Sequence, residues 1–209
     1  MINSDQQARV CRLYSDYCGV IKPLIAEIEA RSEKIPIPIF NEIRAFNDHI
    51  ARCYYNDPSE EYIDKQIEKA ERHITRIMLD CFKCLNVILY QRIELFNRQT
   101  RNVDLTVINN GTFFTAYSTK CVSAAKTIEE AKKTEAINTD DALELYQAAY
   151  NDYAEVVALI IEVSESVKWA RVRFSLKKWG SVIGWIVSVV VSAIVSAYFS
   201  CELIAKFMS

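Results

Sequence analysis

Glycine and proline are scarce, four of each in 209 residues. Together with the apolar periodicity described below, that scarcity reads as a chain that is almost entirely helical. There is no Gly-rich phosphate loop, no HExxH pair and no Ser nucleophile elbow. Histidine occurs only twice, at His49 and His73. The seven cysteines (11, 18, 53, 81, 84, 121 and 201) are odd in number and scattered, which is not a disulfide framework. Cys81-Phe-Lys-Cys84 has neither a second CxxC nor a His pair to complete a zinc site, and Cys81 falls on the apolar repeat of a helix. Core cysteines in a reducing cytosol are the expectation, with no metal and no cofactor. The N-terminus, MINSDQQARV, is polar from the start and carries no signal sequence.

Charge is unevenly spread. The formal net charge of −2 conceals a body, residues 1–167, with 19 Lys+Arg against 26 Asp+Glu. It is followed by Lys168, Arg171, Arg173, Lys177 and Lys178, with no acid among them. An acidic body argues against general nucleic-acid binding. The basic collar suits an anionic membrane leaflet.

Directly after the collar come 23 residues without a charge, Trp179 to Cys201. As a helix they would extend roughly 35 Å, enough to cross a hydrocarbon core about 30 Å thick. The positive-inside rule puts the N-terminal body in the cytosol and the C-terminus across the membrane, a single-pass, tail-anchored design. A bacterial inner membrane is the expected location. Within the span, Gly180, Gly184, Ser188, Ser192, Ser196 and Ser200 repeat every fourth residue. Small residues four apart let helix backbones approach closely in lipid, so this row predicts homo-oligomerisation through the membrane helix.

The rest of the chain divides into helices by pattern. The first is expected at 4–31, capped by Ser4 or Asp5, with Cys11, Tyr14, Cys18, Ile21, Ile25 and Ile28 inward and a kink near Gly19 and Pro23. Ile35-Pro-Ile-Pro-Ile39 reads as an extended connector. A second helix, 38–55, turns Ile43, Phe46, Ile50 and Tyr54 inward. The third, about 59–100, carries the seam Ile63, Ile67, Ala70, Ile74, Ile77, Cys81, Leu85 and Ile88. Residues 101–111 are not helix-like and end in an Asn110-Gly111 turn. A fourth helix, 112–136, presents Phe113, Tyr117, Cys121, Ala124, Ile128 and Ala131 on one face. The fifth begins at Asn138-Thr-Asp-Asp141 and alternates steps of four and three from Ala142 to Phe174, with no Gly or Pro before Gly180. It predicts one rod from the bundle into the membrane.

The fold expected is therefore all-α: a cytosolic bundle of about five helices, the last a long heptad-patterned helix continuing into a single C-terminal transmembrane helix. The boundaries are 1–137 for the bundle, 138–178 for the heptad helix and collar, 179–201 for the span and 202–209 for the tail.

One stretch invites a chemical reading. Glu42-Ile-Arg44-Ala-Phe-Asn47-Asp48-His49 contains Arg-x4-His, with Arg44 and Asp48 also placed for an i,i+4 ion pair. The spacing resembles the signature of HEPN domains, although Ala45 stands where that family often has a polar residue. The resemblance implies an all-helical bundle in which two protomers assemble a ribonuclease site, His49 moving the proton and Arg44 stabilising phosphate charge. Residues five apart on one helix lie about 140° apart, so the pair needs a partner chain to converge. His73, beside the third helix's seam, reads as a surface residue.

The layout also looks like a syntaxin-type SNARE, but every seam position from 142 to 174 is apolar or Tyr, without that family's polar layer. It is similar in plan to membrane-anchored effectors of bacterial conflict and phage-defence systems. Three functions follow as expectations. The first is a membrane-tethered, self-associating helical interaction or effector protein, with lipid, its own copies and a cytosolic protein or small-molecule trigger as partners. The second is a membrane-anchored HEPN-like ribonuclease using Arg44 and His49. The third is a passive tail-anchored scaffold.

Overall fold

The computed structural model describes residues 2–34, 36–172 and 183–192, and among them it is all-helical with no strand. The elements are α1 (Ser4–Asp16), a π-helical turn (Tyr17–Ile21), α2 (Lys22–Ser32), α3 (Ile37–Arg52), α4 (Glu60–Gln99), a 3-10 segment (Leu105–Gly111), α5 (Thr112–Glu135) and α6 (Thr139–Glu162). Residues 164–172 and 183–192 are also helical.

The chain divides into two units. The first comprises the residues up to Asn97 together with Thr115–Ile161, and so contains α1–α3 and most of α4, α5 and α6. Its core forms where the apolar stripes of these helices meet. Ile28, Ile39, Phe46, Ile63, Ile67, Ile77 and Leu85 are fully buried there, with Ala131, Ala142 and Tyr146 joining the same cluster from α5 and α6. Polar contacts fix the register between helices. Arg9 grips Glu71 with two parallel hydrogen bonds, Nε to Oε1 at 3.0 Å and Nη2 to Oε2 at 2.9 Å. The buried Gln6 donates from Nε2 to the Glu60 carbonyl (3.2 Å) and to Asp64 Oδ1 (3.1 Å). Lys120 of α5 meets both Asp152 (2.9 Å) and Glu155 (3.0 Å) of α6.

α4 runs as the sequence predicts. Ile63, Ile67, Ala70, Ile74, Ile77, Cys81 and Leu85 are all buried, and Ile88 packs against the core. The first helix differs. Asn3, not Ser4 or Asp5, is its cap: the Asn3 side chain accepts from the Gln6 amide while Gln6 Oε1 accepts from Asn3 N–H. The inward residues of α1 are Gln6, Val10 and Leu13, whereas Cys11 and Cys18 are exposed and Tyr14 is largely so. The cause is the π turn. Pro23 has no N–H to offer the Gly19 carbonyl and its ring would crowd that carbonyl in a regular helix. Instead one residue is looped in, Lys22 N–H reaches back to the Tyr17 carbonyl, and the inward row shifts by one position upstream of the turn.

The Pro-rich connector is shorter than expected, because Pro36 serves as N-cap and Pro38 sits in the first turn of α3, where a missing N–H costs nothing. α3 ends at Arg52; Cys53 takes the last buried position and Tyr54 lies outside.

The second unit comprises Arg98–Phe114 and the residues from Glu162 onward. Its loop segment passes through Asn109 (φ 48°) and Asn110 (φ 54°) to Gly111 (φ 88°), a left-handed run suited to Asn and Gly. Ile108 tucks in and Val107 stays out. Arg171 Nη2 donates to the Gln99 carbonyl at 2.9 Å. The single rod expected from Asp140 onward is interrupted: α6 stops at Glu162, Val163 is a turn, and helix resumes at 164. Val163, Val167 and Ala170 are nonetheless all buried, so the 3-4 pattern passes through the break unchanged. The break directly precedes Ser164-Glu165-Ser166, and Val167 N–H donates to the Val163 carbonyl at 2.9 Å where the helix resumes.

Candidate functional site

The Arg-x4-His motif lies on α3. Arg44 is exposed, and Asp48 pairs with Arg52 at 2.7 Å rather than with Arg44. His49 turns the other way, against α4, where its Nδ1 donates to Gln66 Oε1 at 2.7 Å. Within one chain the two motif residues are not brought together. His49 meets His73 instead, the rings stacked with centroids 5.1 Å apart and planes 21° from parallel. His73 is therefore half-buried between helices, not a surface residue, and its Nδ1 donates to Glu42 Oε2 at 2.5 Å. Glu42 and His49 are seven apart on α3, and Gln66 and His73 seven apart on α4. Seven residues are two turns, so each pair shares a face, and the crossed partners show the helices running antiparallel. Both imidazoles are held with Nδ1 as donor. Among the described residues no group of three or more His, Cys, Asp or Glu side chains is placed to hold a metal.

Cys81 is fully buried on α4 and its thiol is pushed up to about 12, first by burial and then by the neighbouring Asp80 and Cys84. It is a neutral core thiol. Cys84 is only half-buried.

A more developed site lies elsewhere in the same unit. An open cleft of about 510 Å³ lies between α4, α5 and α6. Val87, Ala125 and Ile128 give it apolar walls, while Tyr90 of α4 and Tyr153 of α6 add rings 6.2 Å apart. Burial pushes the Tyr153 hydroxyl above its usual range, keeping it neutral. Lys83 lies over the Tyr146 ring at 5.6 Å and is ion-paired to Glu135, which also accepts from Tyr146 Oη at 3.0 Å. Burial, then that bond, raises the Tyr146 pKa. Lys132 is exposed at the edge and has no carboxylate partner among the described residues.

Asn86 is a buried polar residue among those that line the cleft. It is 4% exposed, and its Nδ2 donates to the Tyr146 carbonyl at 2.9 Å. Its Oδ1 is buried without any hydrogen-bond partner. Exchanging the amide's two ends would set Oδ1 against the Tyr146 carbonyl, two acceptors face to face, so the oxygen is the end left over. An orphaned acceptor of this kind costs about 1–3 kcal/mol. Sequence patterning could not single out Asn86, which sits beside the apolar seam as an isolated polar residue.

The remaining sequence-predicted residues lie in the second unit. Gly184, Ser188 and Ser192 are on the helical stretch 183–192 and exposed; Gly180, Ser196 and Ser200 lie outside the described residues. Lys168 pairs with Glu165 at 2.6 Å and Arg171 is bonded to Gln99, while Arg173, Lys177 and Lys178 lie outside the described residues. No known protein family, characterised protein or solved structure matches the chain.

Proposed function

We propose that the chain is a membrane-tethered, self-associating helical effector, its body in the cytosol and its C-terminal segment in the bilayer. Among the described residues no helix is long and apolar enough to cross a membrane, and the span read at 179–201 is described only at 183–192. The observation that carries the proposal is the state of that piece. Ile183, Trp185, Ile186, Val187, Val189, Val190 and Val191 are all exposed, so this piece is uncharged and apolar over most of its circumference, with Gly184, Ser188 and Ser192 along the remaining side. Such a helix is stable only in lipid or against other apolar helices. The uncharged run and the basic collar favour lipid, and the small-residue row favours copies of itself. In this reading a change in the bundle rearranges the row, and the consequence is injury to a bacterial inner membrane.

The test is induced expression of wild type, Gly184→Leu and His49→Ala in bacteria, following growth and a membrane-potential dye together. A Cβ at 184 meets nothing within 4 Å in the single chain, so Gly184→Leu is expected to act on contacts between copies. Rapid depolarisation by wild type, lost in Gly184→Leu and kept in His49→Ala, is the expected result. Growth arrest with intact potential, lost only in His49→Ala, would replace the effector with a nuclease acting through Arg44 and His49.

A further inference from the structure

We propose that the open face between α4 and α5 docks a second copy of this chain about a two-fold axis, with Lys132 of each copy on Glu94 of the other. The inference concerns the bundle alone. The face is separate from the small-residue row, and it serves whether or not the C-terminal segment enters a bilayer. The cleft of about 510 Å³ continues into a hollow of about 230 Å³, the two sharing Tyr90, Ala125 and Tyr153. Apolar side chains are left open along this groove: Val122 is 69% exposed, Val87 55% and Tyr90 47%. Charge is confined to the groove's ends. α4 and α5 run antiparallel, Lys83 meeting Glu135 at one end and Tyr117 Oη donating to Asn97 Oδ1 at 2.5 Å at the other. Lys83 and Lys132 line the first end, Glu94 lines the second, and every other lining residue is uncharged. Lys83 is spent on Glu135. Lys132 has no carboxylate partner among the described residues, and Glu94 has no cationic one, accepting only from Asn97 Nδ2 at 3.4 Å.

A patch that is positive at one end, apolar in the middle and negative at the other is complementary to itself after a half-turn. The half-turn sets the two α5 helices antiparallel. Glu94 shares its hollow with Cys121 and Val122, and Lys132 lies ten residues beyond Val122, about 15 Å along α5. Seating Lys132 on the partner's Glu94 therefore puts the axis between Ala125 and Ile128. It carries Val122 to the other end of the partner's groove, toward Val87 and Ile128, where it enters as a ridge into a groove. Ala125 is small and exposed, which lets the two helices approach where they cross the axis. One register thus pairs both free charges and covers the open apolar side chains, twice over. That agreement selects a second copy over a foreign helix.

The full chain is purified in detergent, and equal amounts of unlabelled and isotopically heavy copies are mixed and treated with a zero-length carbodiimide. Mass spectrometry reads whether Lys132 is joined to Glu94 and between which copies. A mixed-isotope Lys132–Glu94 pair is expected from wild type and, undiminished, from Gly184→Leu. Val122→Asp changes an exposed position and would bury a carboxylate in the docked pair, so it should lower the yield by about tenfold or more. Charge reversal is the sharper test. Lys132→Glu and Glu94→Lys each repel their own copies at both contacts, yet match one another at both. Mixed together, they should give the Lys132–Glu94 pair at the wild-type yield per Lys132 present, whereas random pairing would give half. Wild type yielding only same-isotope pairs, or none, overturns the proposal and leaves the face to a different partner. So does an undiminished yield from Val122→Asp, or a yield at or below the random value from the mixed variants. A cross-link lost in Gly184→Leu would make the small-residue row the contact between copies and overturn the proposal too. Depolarisation absent while the cross-link persists would reject the membrane effector and leave this interface standing.

Discussion

α4 and the α1–α2 segment are both long amphipathic stretches with the same 3-4 apolar spacing, yet one reads correctly from sequence and the other does not. In α4 forty residues run without a Gly or Pro, and the inward row follows the pattern to Leu85. In the first 32 residues Gly19 and Pro23 fall four apart, a π turn is inserted, and the row upstream is displaced by one residue. Periodicity predicts a face only while the hydrogen-bond ladder stays regular. One extra residue rotates everything beyond it by about 100°.

The comparison can be broken or sharpened by experiment. The largest effect is expected in α4: Ile77→Ala, at a fully buried position, should cost about 2–5 kcal/mol in urea unfolding monitored by circular dichroism. In α1 the displaced row makes an opposite pair of predictions. Leu13→Ala should cost about 2–4 kcal/mol, whereas Cys11→Ala and Cys18→Ala should stay within about 0.5 kcal/mol of wild type. If the two cysteine variants were the costly ones, the unshifted row read from sequence would be right. Alkylation with mass-spectrometric mapping checks the same point differently: Cys11 and Cys18 should react in the folded chain, and Cys53 and Cys81 only after unfolding.

The contact that ties the two regions together should matter less. Arg9→Ala breaks the paired bonds to Glu71 from a side chain that is 20% exposed, against 41% for its partner. Half-solvated, the pair should contribute about 1 kcal/mol, and the loss should shrink in high salt, which the melting temperature at two ionic strengths would show. The smallest effect has the opposite sign. Nothing lies within 4 Å of a Cβ built at Gly19, and its φ is helical, so Gly19→Ala should stabilise by about 0.5–1 kcal/mol. A loss of stability there would mean that the π turn depends on glycine and not on Pro23 alone.

The candidate site was legible in parts. His49 stood out because Arg44 precedes it by five, but the residue it meets is His73, on another helix. The clue was present: Glu42 with His49 and Gln66 with His73 share a two-turn spacing. It becomes meaningful only once α3 and α4 are known to run antiparallel. The cavity was not legible at all. Asn86, Lys132 and Tyr153 come from three helices, and nothing in their local sequence marks them as neighbours. Tyr146 and Tyr153 were placed inward correctly by the repeat, without any sign that a cavity lay beside them.

By itself the sequence determined the all-helical class, the extent of α4 and the inward faces of α4, α5 and α6. Those depend on local spacing and on the lack of residues that interrupt a helix. It also determined an uncharged run of 23 residues after a basic collar. Tertiary structure alone decided the shifted row of α1, the turn at Val163 inside an unbroken repeat, the stacking of His49 on His73, and the unpaired oxygen of Asn86. The first two follow from where the backbone hydrogen-bond ladder is interrupted, and the last two from what a neighbouring helix offers or withholds. Hydrogen bonding is satisfied in space, between groups that lie tens of residues apart along the chain.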